Sequence, residues 1–291
     1  MVTDTLSNED VELKITVFSM QQAIATTTDG INIPPATLAF YRDILQILQE
    51  ASLPCMVGGA YALHHYTGID RLTRDFDIFI AREDYEIISR TLDDAGYRTE
   101  LVYPHWLAKV YAGDDFVDLI FSSGNGIAAV DKTWFDHAPT AEIFGVDCRI
   151  CPPEEMIWSK AFVMERERFD GADVAHLILA AGEELNWPRL LQRFDPHWRL
   201  LLSHLTLFGF IYPKYRQFIP VDVMQTLLQR LNQELWALPP EENICGGTLL
   251  SREQYLNDIE LWGFTDARIA PLGAMTEWDT AQWTAAIHKR H

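Results

Sequence analysis

The sequence is poor in positive charge and in cysteine. Of its 291 residues, 23 are Lys or Arg against 42 Asp or Glu, which gives a net charge of −19. A protein that binds nucleic acid over a broad face needs clustered Lys and Arg, so a broad nucleic-acid surface is not expected. The four cysteines are too few and too scattered to form a disulfide framework.

Long apolar runs and a basic leader are also missing. No stretch approaches the roughly 18 uninterrupted apolar residues that a membrane-spanning helix requires. The first residues, MVTDTLSNEDVELK, carry acids where a signal peptide has a basic start. We therefore expect a cytoplasmic protein with no membrane partner.

One cysteine spacing could suggest a metal site. Cys148 and Cys151 form a C-x-x-C pair, but a structural zinc needs a second pair or His partners at matching spacing. No such partners are visible, so a pair of free thiols is favoured over a zinc site.

What is present is the composition of a globular protein of about two domains, with 48% hydrophobic residues. Residues 1–35 are predicted to form an N-terminal arm. A mixed domain of strands and helices is expected over 36–152, followed by a mainly helical C-terminal domain over 153–291. The boundary is placed at Pro152-Pro153 because the periodicity of the sequence changes there.

The hydrophobic periodicity gives the elements of both halves. It predicts strands over 53–57, 75–80, 97–102, 107–111, 116–121 and 142–150. Helices are predicted over 36–51, 60–66, 83–95, 154–168, 171–182, 187–193, 197–210 and 221–236. The fold class is therefore α+β.

Asp75 and Asp77 are the strongest chemical signal. On a strand they point to the same face, roughly 6.5 Å apart, while Phe76 and Ile78 point into the core. Two carboxylates this close suit one or two divalent cations, such as those that catalyse phosphoryl-type transfer. The alternative is an edge strand that carries two acids on its solvent face.

Two further features strengthen the first interpretation. Gly58-Gly59 lies at a predicted strand-to-helix turn, where backbone N–H groups can approach phosphate oxygens. Asp118 lies within the apolar strand FVDLIF, where an unpaired charge would be costly. Asp118 therefore needs a partner.

At these residues the chain resembles the nucleotidyltransferase superfamily that includes DNA polymerase beta. The signature is Gly-Gly, a short helix, Asp-h-Asp (h, a hydrophobic residue) and a third carboxylate on a later strand, matched here by Asp75, Asp77 and Asp118. The run Arg71-Leu72-Thr73-Arg74 resembles the bacterial abortive-infection toxin and antibiotic nucleotidyltransferase branches. The resemblance implies a polymerase-beta-like mixed sheet with flanking helices over 36–152.

The resemblance covers roughly residues 36–182 and implies further site residues. Gly58, Gly59, Thr73 and Lys160 would contact the nucleotide. Asp170, Asp173 and His176 could join that site, while Arg166 and Arg168 are expected to form structural ion pairs. His64 and His65 are neighbours on a helix, so at most one would face the site.

The implied reaction moves a nucleoside monophosphate from an NTP to an acceptor hydroxyl and releases pyrophosphate. The resemblance implies two Mg²⁺ ions, with Mn²⁺ as an alternative, held by Asp75, Asp77 and Asp118. Because the chain is acidic, a small molecule or a protein is favoured as acceptor over tRNA. A non-catalytic binding or antitoxin-like protein and a metal phosphohydrolase remain alternatives.

Overall fold

The computed structural model describes residues 33–70 and 75–285. Five strands form a mixed sheet in the order β1-β2-β5-β4-β3. β2 and β5 run parallel, and the other neighbouring strands are antiparallel. The strands are β1 Met56–Val57, β2 Phe76–Phe79, β3 Arg98–Tyr103, β4 Leu107–Ala112 and β5 Asp115–Ile120.

Four helices accompany the sheet: α1 Pro35–Glu50, α2 Gly59–Thr67, α3 Tyr85–Asp94 and α4 Lys132–His137. The predicted helical spacing gives α1 one buried face that includes Tyr41 and Ile44. The ring of Tyr41 stacks on Phe76 with 4.8 Å between centroids. Apolar side chains of α1 thus cover one face of the sheet.

Strand alternation separates the two faces of the sheet. Phe76 and Ile78 on β2, like Val117 and Leu119 on β5, are fully buried, as expected for residues that point into the core. Asp77 lies between the two buried residues of β2 and is only partly buried. The acids of β2 and β5 therefore occupy the face opposite the apolar core.

The prediction of one continuous strand over 142–150 is wrong, because the chain forms a β-hairpin here. Its two antiparallel strands are β6 Thr140–Ile143 and β7 Val146–Arg149. Phe144 and Gly145 connect them with φ of 55° and 76°. Positive φ is unusual for a phenylalanine, and such turns normally carry an Asn-Gly or Asp-Gly pair. Because this turn has Phe-Gly instead, the sequence did not mark it as a hairpin.

Beyond residue 152 the chain is mainly helical, so the α+β fold class is confirmed. The elements here are α5 Pro153–Ala161, α6 Gly171–Ala181, α7 Trp187–Arg193, α8 Trp198–Ile211, α9 Val221–Glu234, the strand β8 Ile244–Cys245, α10 Leu256–Glu260, the strand β9 Thr265–Asp266 and α11 Glu277–Ala285. Apolar residues on one face of α8 are buried, among them Leu201, Leu205 and Phe208.

The helix predicted over 154–168 ends earlier, at Ala161. Residues 163–169 form a tight turn instead, in which the Glu165 N–H donates to the Arg168 carbonyl over 2.8 Å. The Ser251 hydroxyl donates to the Glu165 carboxylate over 2.5 Å. Contacts with a distant part of the chain thus replace the last two helical turns.

The last part of the chain packs back against the first half. The Asn125 side chain donates to the Leu249 carbonyl over 2.7 Å, and a Cβ added to Gly124 would lie 2.7 Å from the Trp283 ring. Residues 244–285 therefore contact the loop between β5 and α4. The boundary near residue 152 stays a prediction, and most of the predicted arm, 1–32, lies outside the described residues.

Two further findings concern the thiols and the lengths of the helices. All four cysteines are free thiols; in the C-x-x-C pair Cys151 is buried, whereas Cys148 is only partly buried. Across residues 33–70 and 75–285, every helix is too short or too polar to cross a bilayer.

Candidate active site

Asp77 lies at the centre of the candidate site. It is on β2, directly opposite Asp118 on the parallel strand β5. Burial, and next the negative charge of Asp118, raise the pKa of Asp77 to about 7. Asp75 lies one residue before β2 and is exposed. The strand thus presents one acid in a desolvated position and one at its solvent end.

The Gly58-Gly59 turn lies against Asp77. The Gly58 N–H donates to the Asp77 carbonyl over 2.9 Å. Gly59 has a φ of +54°, and a Cβ there would lie 1.8 Å from Asp77 Oδ2. Only glycine fits this position, for its conformation and for the close approach of the carboxylate. α2 begins here, so its N-terminus and the Asp77 carboxylate meet at one point.

Asp118 has the partner that its burial requires. Lys109 lies opposite Asp118 on the antiparallel strand β4, and its Nζ is 2.5 Å from Asp118 Oδ1. Burial raises the pKa of Asp118 although the hydrogen bond from Lys109 acts to lower it. Sequence reasoning did not identify Lys109. Its signal was a single cation in the otherwise uncharged strand LAKVYA.

Lys160 lies in a separate cluster of charges formed by α5, α6 and the turn between them. Its Nζ donates to Asp173 over 2.7 Å and to Asp170 over 3.3 Å. Arg168 also donates to both oxygens of Asp170, which confirms the ion pair expected for Arg168. The positive charges of Lys160 and Arg168 act to lower the pKa of Asp77. The cluster is therefore near Asp77. We refer to Asp75, Asp77 and Asp118 together as the sheet acids.

Within this cluster the neighbouring cations outweigh burial, so the pKa of Asp170 is lowered whereas that of Asp77 is raised. The side chains of Asp173 and Asp170 are only 0% and 6% exposed. Burial alone would raise the pKa of Asp170, but the hydrogen bond from Arg168 and the charge of Lys160 outweigh it and lower that pKa. His176 lies three residues beyond Asp173 on α6 and is half-buried; its role stays a prediction.

Three other residues were predicted for the site or near it. Thr73 lies in 71–74, outside the described residues. His64 Nδ1 lies 2.8 Å from the Asp70 carboxylate. Burial, and next the charge of His64, lower the pKa of His65.

The donor chemistry of the sheet acids fits a divalent cation such as Mg²⁺, which prefers carboxylate oxygens. Because Gly59 has no side chain, the Asp77 carboxylate can occupy the space where a Cβ would otherwise lie. Within the described ranges, however, no three His, Cys, Asp or Glu side chains converge closely enough to hold a metal ion. The carboxylates are aligned by the strand register without forming a closed cage.

A cavity of about 500 Å³ lies elsewhere in the molecule. His65 and Tyr66 line it together with Glu154 and Arg189, and none of the three sheet acids does. It lies towards the start of α5 and the end of α6, whereas Lys160 and Asp173 are at the opposite ends of those helices. The cavity is therefore distinct from the carboxylate site.

Comparisons with known proteins gave matches among solved structures alone. No family model matches the chain, and no curated protein matches it. Among solved structures, the antibiotic-resistance factor ANT(2'')-Ia is similar to this chain at 20% identity and a TM-score of 0.40, covering 59% of this chain and 98% of its own.

Two further solved structures are similar. The lincosamide antibiotic adenylyltransferase LnuA has 17% identity and a TM-score of 0.36, covering 50% of this chain and 97% of its own. An antigenic nucleotidyltransferase-like protein from Paracoccidioides brasiliensis has 16% identity and a TM-score of 0.42, covering 62% and 91%. The names of these structures include nucleotidyltransferases. At these scores no residue is assigned a role from them.

Proposed function

We propose that the protein is a metal-dependent nucleotidyltransferase that moves a nucleoside monophosphate from an NTP to an acceptor hydroxyl. The observation that carries the proposal is the pairing of Asp77 with Asp118 on parallel strands, with the Gly59 turn against Asp77. Such adjacent carboxylates suit the charge neutralisation that transfer from a triphosphate requires.

In this proposal Asp75, Asp77 and Asp118 hold Mg²⁺, as two ions, or Mn²⁺ in its place. When bound, the metal neutralises triphosphate charge and lowers the pKa of the acceptor hydroxyl. The hydroxyl proton passes to solvent water, the hydroxyl oxygen forms a bond to the α-phosphorus while the bond from that phosphorus to the bridging β-phosphate oxygen breaks, and pyrophosphate leaves. Asp118 would be the ligand of the catalytic metal, the ion that lowers the pKa of this hydroxyl.

The remaining proposed contacts are to the phosphates. The N–H group of Gly59, at the start of α2, holds the phosphate oxygens, and Gly58 fixes the turn there because its own N–H donates to the Asp77 carbonyl. Lys160 adds a positive charge from a position fixed by Asp170 and Asp173. Thr73 is proposed as a further nucleotide contact, from the resemblance alone. Rate acceleration then comes from positioning and electrostatics.

The proposed acceptor is a small molecule or a protein hydroxyl, and tRNA is less favoured. Residues 1–159 carry 25 acids against 10 bases, whereas 160–220 carry 7 against 8. An acidic surface attracts cations and repels polyanions. Only the near-neutral helical segment could present a local site for a tRNA end.

The test is incubation of the protein with each of four α-³²P-labelled NTPs, Mg²⁺ and a cell extract. We expect label to be transferred to one species, identified as metabolite, protein or tRNA, together with pyrophosphate. Release of free phosphate without transfer would show a phosphohydrolase instead. If none of the NTPs binds in the presence of Mg²⁺ by calorimetry, the chain is a non-catalytic binding protein.

A further inference from the structure

Lys109 gives the third carboxylate a cation built into the fold. The strand register places Asp77, Asp118 and Lys109 in one row across β2, β5 and β4. Neighbouring strands lie about 4.8 Å apart, so Asp118 is flanked by an acid on one side and an ammonium on the other. Its Oδ1 accepts the hydrogen bond from Lys109 over 2.5 Å.

The ammonium of Lys109 is also held by an aromatic ring. Its Nζ lies 3.6 Å from the centroid of Phe116, which precedes Asp118 by two residues and therefore shares its face of β5. A cation over an aromatic ring is attracted by the ring's electrons. With its side chain only 21% exposed, Lys109 is a fixed part of the site.

A fixed ammonium at Asp118 opposes a metal ion there. It engages one of the two carboxylate oxygens, and its charge repels a dication bound to the other. On its side away from Asp118, Asp77 meets the Gly58-Gly59 turn instead of a lysine, although the charges of Lys160 and Arg168 also act on it.

We propose that Lys109 is a positioning residue that weakens the metal position at Asp118. Without nucleotide, the protein then binds one divalent ion tightly, at Asp75 and Asp77. The second ion binds at Asp118 only when a triphosphate supplies further oxygen ligands and negative charge, because Mg²⁺ sites combine one or two carboxylates with substrate phosphates. This inference rests on the proposed function.

The test is a calorimetric titration of the full chain with Mn²⁺ in the absence of nucleotide. We expect wild type to bind one ion tightly. Lys109→Met should bind a second ion at least about tenfold more tightly than wild type does, which equals about 1.4 kcal/mol. Lys109→Arg retains the charge and should restore wild-type binding.

Lys132→Met is the matched control. Lys132 forms an exposed ion pair with Asp136 on α4, so removal of its charge should leave Mn²⁺ binding unchanged. Lys109→Gln removes the same charge as Lys109→Met with a polar head group, and it replaces that variant if thermal unfolding shows Lys109→Met to be misfolded.

The outcomes separate this inference from the proposed function. Two tight ions on wild type, or a second ion that binds no more tightly to Lys109→Met and Lys109→Gln, would overturn the role of Lys109 and leave nucleotidyl transfer intact. Absence of Mn²⁺ binding to wild type and to every variant, even with a non-hydrolysable NTP, would overturn the proposed function itself and this inference with it.

Discussion

Two groups of acids in this protein have pKa values shifted in opposite directions. On the sheet, Asp77 is next to Asp118, and the pKa of Asp77 is raised to about 7. On the helices, Asp170 is next to Lys160 and Arg168, and the pKa of Asp170 is lowered. The difference is in the neighbours, because desolvation acts to raise the pKa of both carboxyls.

The comparison separates an acid held for chemistry from an acid held for structure. A carboxylate whose charge is compensated by protein cations is satisfied within the fold. One that is desolvated beside another acid lacks sufficient compensation from the protein and suits a cation from solution. On this basis the sheet acids are the candidate active site, and the helix cluster positions Lys160 beside it.

The largest expected effect is on activity. Asp77→Asn removes a proposed metal ligand and should lower the rate of nucleotidyl transfer by about a thousandfold. The measurement is transfer of α-³²P label by purified protein. Asp170→Asn, in the helix cluster, should lower the rate much less. Wild-type turnover in Asp77→Asn would show that the sheet acids are not the active site.

Breaking the helix cluster should instead cost stability. Lys160→Met leaves the fully buried carboxylate of Asp173 with less compensation, which should lower the free energy of unfolding by about 3 kcal/mol. Urea denaturation measures this. The double variant Lys160→Met/Asp173→Asn should recover part of the loss, and a single variant as stable as wild type would contradict the assigned structural role.

The two groups should also differ in their pH dependence without metal. The folded pKa of Asp77 is raised from 3.8 to about 7, so the folded state retains a proton that the unfolded state has lost. Stability should therefore fall as pH rises between those values. Because Asp77 is only partly buried, we discount the full shift to about 2 kcal/mol.

The pH measurement is urea denaturation at pH 5 and pH 8 in EDTA. Asp77→Asn should lose less stability than wild type between these two values, since the amide does not titrate. Equal losses in the two proteins would show that Asp77 ionises without penalty and would remove the contrast with Asp170.

A smaller effect tests the contact between the glycine turn and Asp77. Gly59→Ala places a methyl group on Asp77 Oδ2 and strains a φ of +54°. Gly113→Ala is matched, because Gly113 has a φ of +62° and open space around its Cβ position. Gly59→Ala should be less stable than Gly113→Ala by about 1–2 kcal/mol, a typical cost of overpacking.

Chemical denaturation and the transfer assay together measure this pair. Only Gly59→Ala should also lose activity, because its methyl group displaces the Asp77 carboxylate. Equal stability and equal activity in the two variants would show that Gly59 is required for its backbone conformation alone.

Much of the site could be predicted from local sequence. Because successive side chains on a strand point to opposite faces of the sheet, Asp77 points away from the face that carries Phe76 and Ile78. Those two residues are fully buried. A charged Asp118 within an apolar strand was expected to need a partner, and in the structure that partner is Lys109. The hairpin at Phe144-Gly145 and the early end of α5 could not be predicted. Neither has a local turn signal, and residues near 251 stabilise the turn after α5.

The sequence by itself determined which acids share a strand face and where glycine must allow a close approach, because both follow from local backbone geometry. Only the tertiary structure decided which acids are compensated. Lys109 meets Asp118 because the β4–β5 pairing has one register, and a slip of one residue would turn Lys109 to the other face. Charge balance depends on distances between strands and helices, which composition does not specify.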